Sequence, residues 1–416
     1  MMLFKDYSKK SLWNLSIIGL YIILIYLPDI TRYKNIVMGL IGATALWYLV
    51  RDFKTICKIF KNNLSFSLLF LLLVIGYSIV ISVEPSISIK EINKPILNGL
   101  LLFAVTFPIV LYKEKPADIA KMVMVAFAIG LLVIMAKELV LYYLEYKRNI
   151  LPITWNSQKL HREISYALLF FFPIIFSCWS LKKHHNLINW VILILLLLLL
   201  MFIILGTLAR GVWLSISIIA LILLIYNHHW RLLGIGIIIC IVILSISMAS
   251  KSTSSKILQH RLFQADSGAR FNNGTQGSAL GLILESPVKG YGYGNQLYHN
   301  VYNERIKDHP NWIVKKSIGP HNVFLAFWFA GGILGLFGIL YFCTSMIAQG
   351  IQLIRKNQGV IRQASLVLLM SFLGVYVLRG LFENAYINQV GILVGLMLAL
   401  RHALLTHQPT TPSENK

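Results

Sequence analysis

Arg210 lies in Gly206-Thr-Leu-Ala-Arg-Gly-Val-Trp-Leu-Ser215, between two apolar runs spaced so closely that they must meet at a membrane boundary. A charge at that depth is costly. Its planar guanidinium fork suits a phosphate better than an ammonium does, so an anion-binding arginine facing a cavity is the functional reading. A snorkelling interfacial side chain is the structural one. His321, in Ile318-Gly-Pro-His-Asn-Val-Phe-Leu325, opens another apolar run directly after Pro320. An imidazole at a helix N-terminus meets the positive end of the helix dipole, which disfavours its protonated form and draws anions towards it. That makes His321 suited to act as a neutral base beside a phosphate. Alone it reads as structural; with Arg210, and with Arg270 in Asp266-Ser-Gly-Ala-Arg-Phe271, it reads as catalytic.

Other groups carry weaker signals. Gly290-Tyr-Gly-Tyr-Gly294 resembles a phosphate-cradling loop only in its glycine count, with no Lys-Ser/Thr after it. The other reading is a tight turn whose glycines adopt positive φ, leaving Tyr291 and Tyr293 as exposed aromatics suited to stack on sugar rings. Lys137 and Glu138 are nearly the only ionisable residues inside the apolar runs and are read as structural or snorkelling, which argues against an ion-coupled pump. Arg162 in His161-Arg-Glu163 and Arg379 lie at the same boundary as Arg210 and are candidates for a donor or acceptor-phosphate site, or simple anchors. The pairs His184-His185 and His228-His229 lack the companion ligands and spacing of a metal site. No Walker-type, D-x-D or H-E-x-x-H motif is present, so no metal, cofactor or ATP site is expected. Cys57, Cys178, Cys240 and Cys343 lack paired spacing, so no disulfide framework is indicated.

The elements that must hold these residues are helices in a membrane. Of 416 residues, 57% are hydrophobic and only 13% charged. Soluble domains carry about 25% charged residues, so a soluble enzyme is excluded. The fold class is all-α and polytopic. Spans are expected near 12–28, 36–50, 64–83, 95–112, 119–142, 164–181, 187–208, 211–227, 232–249, 322–348, 363–378 and 386–404. The basic N-terminus has no small-residue cleavage site and reads as leading into a retained first span. With a cytoplasmic N-terminus, 18 Lys and Arg fall inside and 10 in short outside segments, with nine more in one long outside loop. Both termini are then cytoplasmic. The net charge of +22 is scattered through loops, which points to anionic lipid or phosphate and away from nucleic acid. The chain divides into nine spans over 1–249, a large outer loop over 250–321, three spans over 322–404 and a tail over 405–416. Ser267-Gly268, Asn273-Gly274 and Gly290 to Gly294 mark turns in that loop, and a loop so long in a compact protein is usually functional. Gly331, Gly332, Gly335 and Gly338 have the spacing of a close helix–helix contact.

Taken together, Gly206 to Leu214, Ser267-Gly-Ala-Arg270 with Asn273-Gly-Thr-Gln-Gly277, Pro287 to Asn295, Gly319-Pro-His-Asn322 and Arg379-Gly-Leu-Phe-Glu383 resemble the O-antigen ligases of the wider O-antigen ligase/polymerase family. The resemblance covers most of the chain and is closest to the enterobacterial ligases. It implies an inner-membrane transferase working on the periplasmic face, which moves a polysaccharide from undecaprenyl diphosphate onto a terminal sugar of the lipid A-core. It also implies that Arg210, Arg270 and His321 are the functional residues.

The implied reaction agrees with the residue chemistry. A sugar bonded to diphosphate already has a leaving group, so the need is positive charge where negative charge develops. A neutral histidine can take the proton of the attacking hydroxyl, a contribution of about 10²- to 10⁴-fold. One displacement inverts the anomeric centre. A retaining route calls for a carboxylate nucleophile, and the long loop offers only Asp266, Glu285, Glu304 and Asp308, none paired. Asn322 joins Arg162, Tyr291, Tyr293 and Arg379 as an expected substrate-binding residue, with lipid-linked donor, lipid A-core and membrane lipids as partners. An O-antigen polymerase is the nearest rival reading, set apart by its usual two large outer loops. A lipid-linked glycan flippase is the rival of another class.

Overall fold

The computed structural model describes residues 7–182, 186–250, 252–263 and 267–407, and among them the regular structure is helical, without strands. Asp266 and the His184-His185 pair lie outside the described residues. Each of the twelve expected spans coincides with a helical run. These are α1 (Lys9–Leu24), α2 (Thr31–Ile59), α3 (Asn63–Val80), α4 (Pro85–Val110), α5 (Pro116–Lys147), the short α6 (Trp155–His161), α7 (Ile164–Leu181), α8 (Leu187–Gly206), α9 (Arg210–Tyr226) and α10 (Trp230–Ala249). After the long loop come α15 (Val323–Lys356), α16 (Gly359–Leu381) and α17 (Val390–Thr406). Nine of these described helices are long and apolar enough to cross a membrane; α1, α9 and α17 are shorter. The chain is a multi-pass membrane protein.

Helix starts follow local chemistry. Ser8, Asn62, Thr154, Asn186 and Asn322 each cap a helix by accepting a backbone N–H with the side-chain oxygen, and Pro85 and Pro116 occupy first turns where the missing N–H is harmless. The outward faces carry large apolar side chains in the open, among them Trp47, Val50 and Leu187, as lipid contact requires. At α10 the helix buries only Leu232 and Ser247.

Within 250–321, expected as a polar loop, the described residues form a small helical layer: α11 (Thr253–Phe263), α12 (Ser267–Phe271), α13 (Thr275–Glu285) and α14 (Asn295–Arg305). Asn273-Gly274 and Gly290 to Gly294 fall between these helices, whereas Ser267-Gly268, expected as a turn, opens α12. The layer has its own core of Ala279, Leu282, Ile283, Leu297, Tyr298, Val301, Tyr302 and Trp312, closed against Phe329 of α15. It is also tied to α4, where the Glu84 carboxylate accepts from Asn300 Nδ2 at 2.9 Å and Glu91 caps α14 by accepting from the backbone N–H groups of Asn295 and Gln296.

The glycines of α15 have two roles. Gly331 and Gly338 lie against Val74 of α3, a close helix contact of the expected kind. At Gly331 and Gly332 (φ +59°) the helix breaks, which frees the carbonyls of Phe329 and Ala330. The backbone N–H groups of Tyr291 and Gly292 donate to these carbonyls at 2.8 and 3.0 Å. The Gly290 to Gly294 segment is therefore a turn that plugs a helix break: φ is +79° at Gly290, and a Cβ there would lie 2.4 Å from Gly332 N. Gly290→Ala should lower stability by about 1–3 kcal/mol through strain and clash. Thermal unfolding of the detergent-solubilised protein checks this, and a melting profile identical to wild type would contradict it.

Candidate functional site

The site forms where the helical layer meets the ends of α7, α9, α15 and α16. Its anchor is the C-terminal turn of α16. The carbonyl of Phe382 accepts from Arg270 Nη1 at 2.8 Å, and the carbonyl of Leu381 accepts from Gln276 Nε2 at 2.7 Å and from Asn322 Nδ2 at 3.4 Å. Gln276 also donates to the backbone oxygen of His321 at 3.1 Å, so one buried amide links α13, α16 and the start of α15. Asn322 caps α15, accepting from the N–H groups of Phe324 and Leu325 at 2.9 and 3.2 Å.

His321 follows Gly319 (φ +93°) and Pro320 and itself holds φ at +48°, a left-handed conformation that costs about 1–2 kcal/mol for a residue with a side chain. Leu208, two residues before Arg210, holds φ at +46° in the turn between α8 and α9. Strained backbone of this kind persists only where the surroundings enforce it, and it clusters at functional sites. At Leu208 the enforcement is visible: Thr207 Oγ1 donates to Ile204 O at 2.7 Å and Trp213 Nε1 to the same oxygen at 2.8 Å, pinning the turn that presents Arg210.

The charges act on one another. Burial holds the His321 imidazole below its ordinary pKa, and Arg270 and Arg162 push the same way, while Glu383 and a backbone hydrogen bond at Ile318 oppose them incompletely. The ring is thus predominantly neutral at pH 7. Arg270 is lowered by burial and by the charge of Arg210, against Glu383; Arg261 is lowered by burial, Arg210 and Arg162. Arg270 and Arg162 therefore act directly on a half-buried, uncharged imidazole, and Arg210 and Arg261 are coupled to them.

Other expected site residues sit differently. Arg379 is 1% exposed: its Nε and Nη2 donate to Glu383 Oε2 at 3.1 and 2.8 Å, and its guanidinium lies 3.1 Å from the ring centroid of Tyr166. It holds the α16 end together from within instead of lining an open site. Tyr291 is 8% exposed and stacks on Phe329 with centroids 5.0 Å apart, so its ring is not presented to a sugar. Burial inside the helical layer overrode the expectation of exposure. Tyr293 is half-buried and lines a cavity of about 780 Å³ beside Pro320. Of the histidine pairs, His229 Nε2 lies 2.8 Å from Ser180 Oγ at the foot of α9.

Three participants were not singled out beforehand. Gln276 and Glu383 lay in the quoted motifs, and the i, i+4 spacing of Arg379 and Glu383 was a usable signal of pairing; Arg261 had none beyond being a base in the loop. Behind Arg162, His161 is completely buried, with Nδ1 against Glu138 and Nε2 3.1 Å from Glu145, and its ring stacks on Tyr142. Burial alone lowers the His161 pKa, yet the two carboxylates outweigh it and raise the pKa above the ordinary value. Glu138 is thus structural, as expected, and its partner fixes the helix that ends at Arg162.

Fold and site together define a polytopic membrane protein that presents a cluster of arginines and a neutral histidine at the ends of its helices, under a helical cap. A family model described as O-antigen ligase matches residues 193–340, which span Arg210, the cap and His321. Over 396 residues the chain is 38% identical to a protein of Salmonella typhimurium called O-antigen ligase, covering 94% of this chain and 96% of that protein. The chain belongs to the O-antigen ligase family.

Glu383→Ala leaves the buried Arg379 cation without its partner, which costs about 3–5 kcal/mol. The variant should unfold at clearly lower temperature than wild type, with Glu383→Gln closer to it. Equal melting of Glu383→Ala and wild type would show that the pair does not hold the α16 end.

Proposed function

We propose that the protein transfers a polysaccharide from undecaprenyl diphosphate to a terminal sugar of the lipid A-core, at the periplasmic face of the inner membrane. The observation that supports this reading is a His321 lowered in pKa by burial and by the nearby charges of Arg270 and Arg162, with Arg210 acting in turn on Arg270. Membership of the O-antigen ligase family supports it. In this reading His321 accepts the proton of the acceptor hydroxyl, whose oxygen bonds to the anomeric carbon as the bond from that carbon to the diphosphate oxygen breaks. Arg210 and Arg270 stabilise the charge that grows on the leaving diphosphate. The displacement inverts the anomeric centre and needs neither ATP nor a metal ion.

Arg162 and Arg261 add to the positive field without touching the bond-breaking step. The left-handed backbone at His321 and Leu208 aims the two key side chains before substrate arrives, so little reorganisation is required during reaction.

In a strain that makes long O-chains, deleting the gene should remove all attached O-chains while polymerised, undecaprenyl-linked glycan accumulates. One attached repeat unit would mean a polymerase, and unflipped donor a transporter. In reconstituted membranes with chelator and no nucleotide, His321→Ala should lose at least about 10²-fold in turnover. Arg210→Lys should remain severely impaired, because bidentate phosphate contact is lost. Full turnover by His321→Ala, or arrest of the wild type by chelator, would contradict the mechanism.

A further inference from the structure

The cavity of about 780 Å³ beside Pro320 is distinct from the arginine cluster: none of Arg162, Arg210, Arg261 and Arg270 lines it. Its volume is within the range of about 300–1,000 Å³ typical of ligand sites. Exposed Lys90 and Lys94, one helical turn apart on α4, stand on one wall, with Asn295 and Asn384 on others. The walls also depart from regular helix where they meet the cavity. The backbone is π-helical over Asn93–Leu101 and Leu373–Leu378, which contribute Asn93, Lys94 and Tyr376, and such segments concentrate at functional sites.

Cavity and arginine cluster meet at two places. Pro320 lines the cavity and precedes His321; Asn384 and Ala385 line it and follow Phe382, the residue that holds Arg270. The cavity therefore ends one residue from His321, which does not itself line it. The two charge types suit different tasks. Planar guanidinium groups match a diphosphate whose charge grows during reaction, whereas ammonium groups supply point charges to anions that only need holding. Amide side chains, and the aromatic faces of half-buried Tyr293 and exposed Tyr386, fit sugar hydroxyls and ring faces.

We propose that this cavity is the acceptor subsite, and that Lys90 and Lys94 bind the phosphate groups of a phosphorylated oligosaccharide on the acceptor glycolipid. The inference rests on the ligase reading above. It assigns the donor to the arginine side and the acceptor to the lysine side of His321.

The test uses full-length protein in liposomes with undecaprenyl-diphosphate-linked glycan as donor and purified lipid A-core as acceptor, intact or enzymatically dephosphorylated. The double variant Lys90→Gln, Lys94→Gln should raise KM for the intact acceptor about tenfold, the loss expected for two partly solvated charge-assisted contacts. The maximal rate and the donor KM should stay at wild-type values. With dephosphorylated acceptor, variant and wild type should coincide, and Lys90→Arg, Lys94→Arg should restore most of the affinity. An unchanged acceptor KM, an equal loss on both acceptors, or a rise in donor KM would overturn the subsite while leaving the ligase reading intact. If wild-type protein joined neither acceptor to the donor glycan, the ligase reading would fail and the subsite with it.

Discussion

The site depends on where the last carbonyls of one helix find their donors. A helix ends with backbone oxygens that have no partner inside it, and at the end of α16 the partners come from elsewhere in the chain. Gln276 and Asn322 serve Leu381, and Arg270 serves Phe382. Because those donors belong to the cap and to the start of α15, satisfying the helix end also pulls a cation and the His321 backbone to one point. The negative end of the helix dipole and the Glu383 carboxylate favour the cations there. The buried Arg379 in turn keeps Glu383 in place.

A second support holds the cap from its other edge. The break in α15 at Gly331 and Gly332 exposes two carbonyls, and the Gly290 to Gly294 turn fills them. Glu91 on α4 caps the helix that follows that turn. The cap is thus fastened to α15 and α16 by backbone carbonyls that these helices would otherwise leave unpaired, and to α4 by the carboxylates of Glu84 and Glu91. The contacts are directional, so they set orientation as well as adhesion, and His321 sits between the fastenings in a strained backbone conformation that a looser cap could not maintain.

Much of this was legible in the residues. Apolar runs and charge-poor composition located the nine described helices long and apolar enough to cross a membrane and the shorter α1, α9 and α17, and the glycines of the Gly290 to Gly294 turn do adopt positive φ. Arg210 and His321 drew attention because charged or titratable residues next to apolar runs are costly enough to need a reason; Arg270 did so as a base in the polar loop, and nothing in the sequence showed that it would meet the end of α16. What was not legible depends on contacts between distant segments. The cap's own core makes helices of a stretch whose polar composition reads as loop, and it takes Tyr291 out of reach. Arg379 was placed at the boundary by position, yet only the packing of Tyr166 and Glu383 around it turns it inward. The π-helical walls of the cavity were not expected, although Pro95, which removes an N–H from the helix ladder, was a usable signal at one of them.

The central claim is that the arginine field and burial keep His321 uncharged at working pH. It is tested most directly by nuclear magnetic resonance titration of the His321 ring nitrogens in reconstituted, selectively labelled protein, alongside Arg270→Gln. The account predicts a ring that titrates below the usual value of about 6.5 and moves upward when Arg270 loses its charge. A ring already protonated at pH 7, or one indifferent to Arg270, would contradict it.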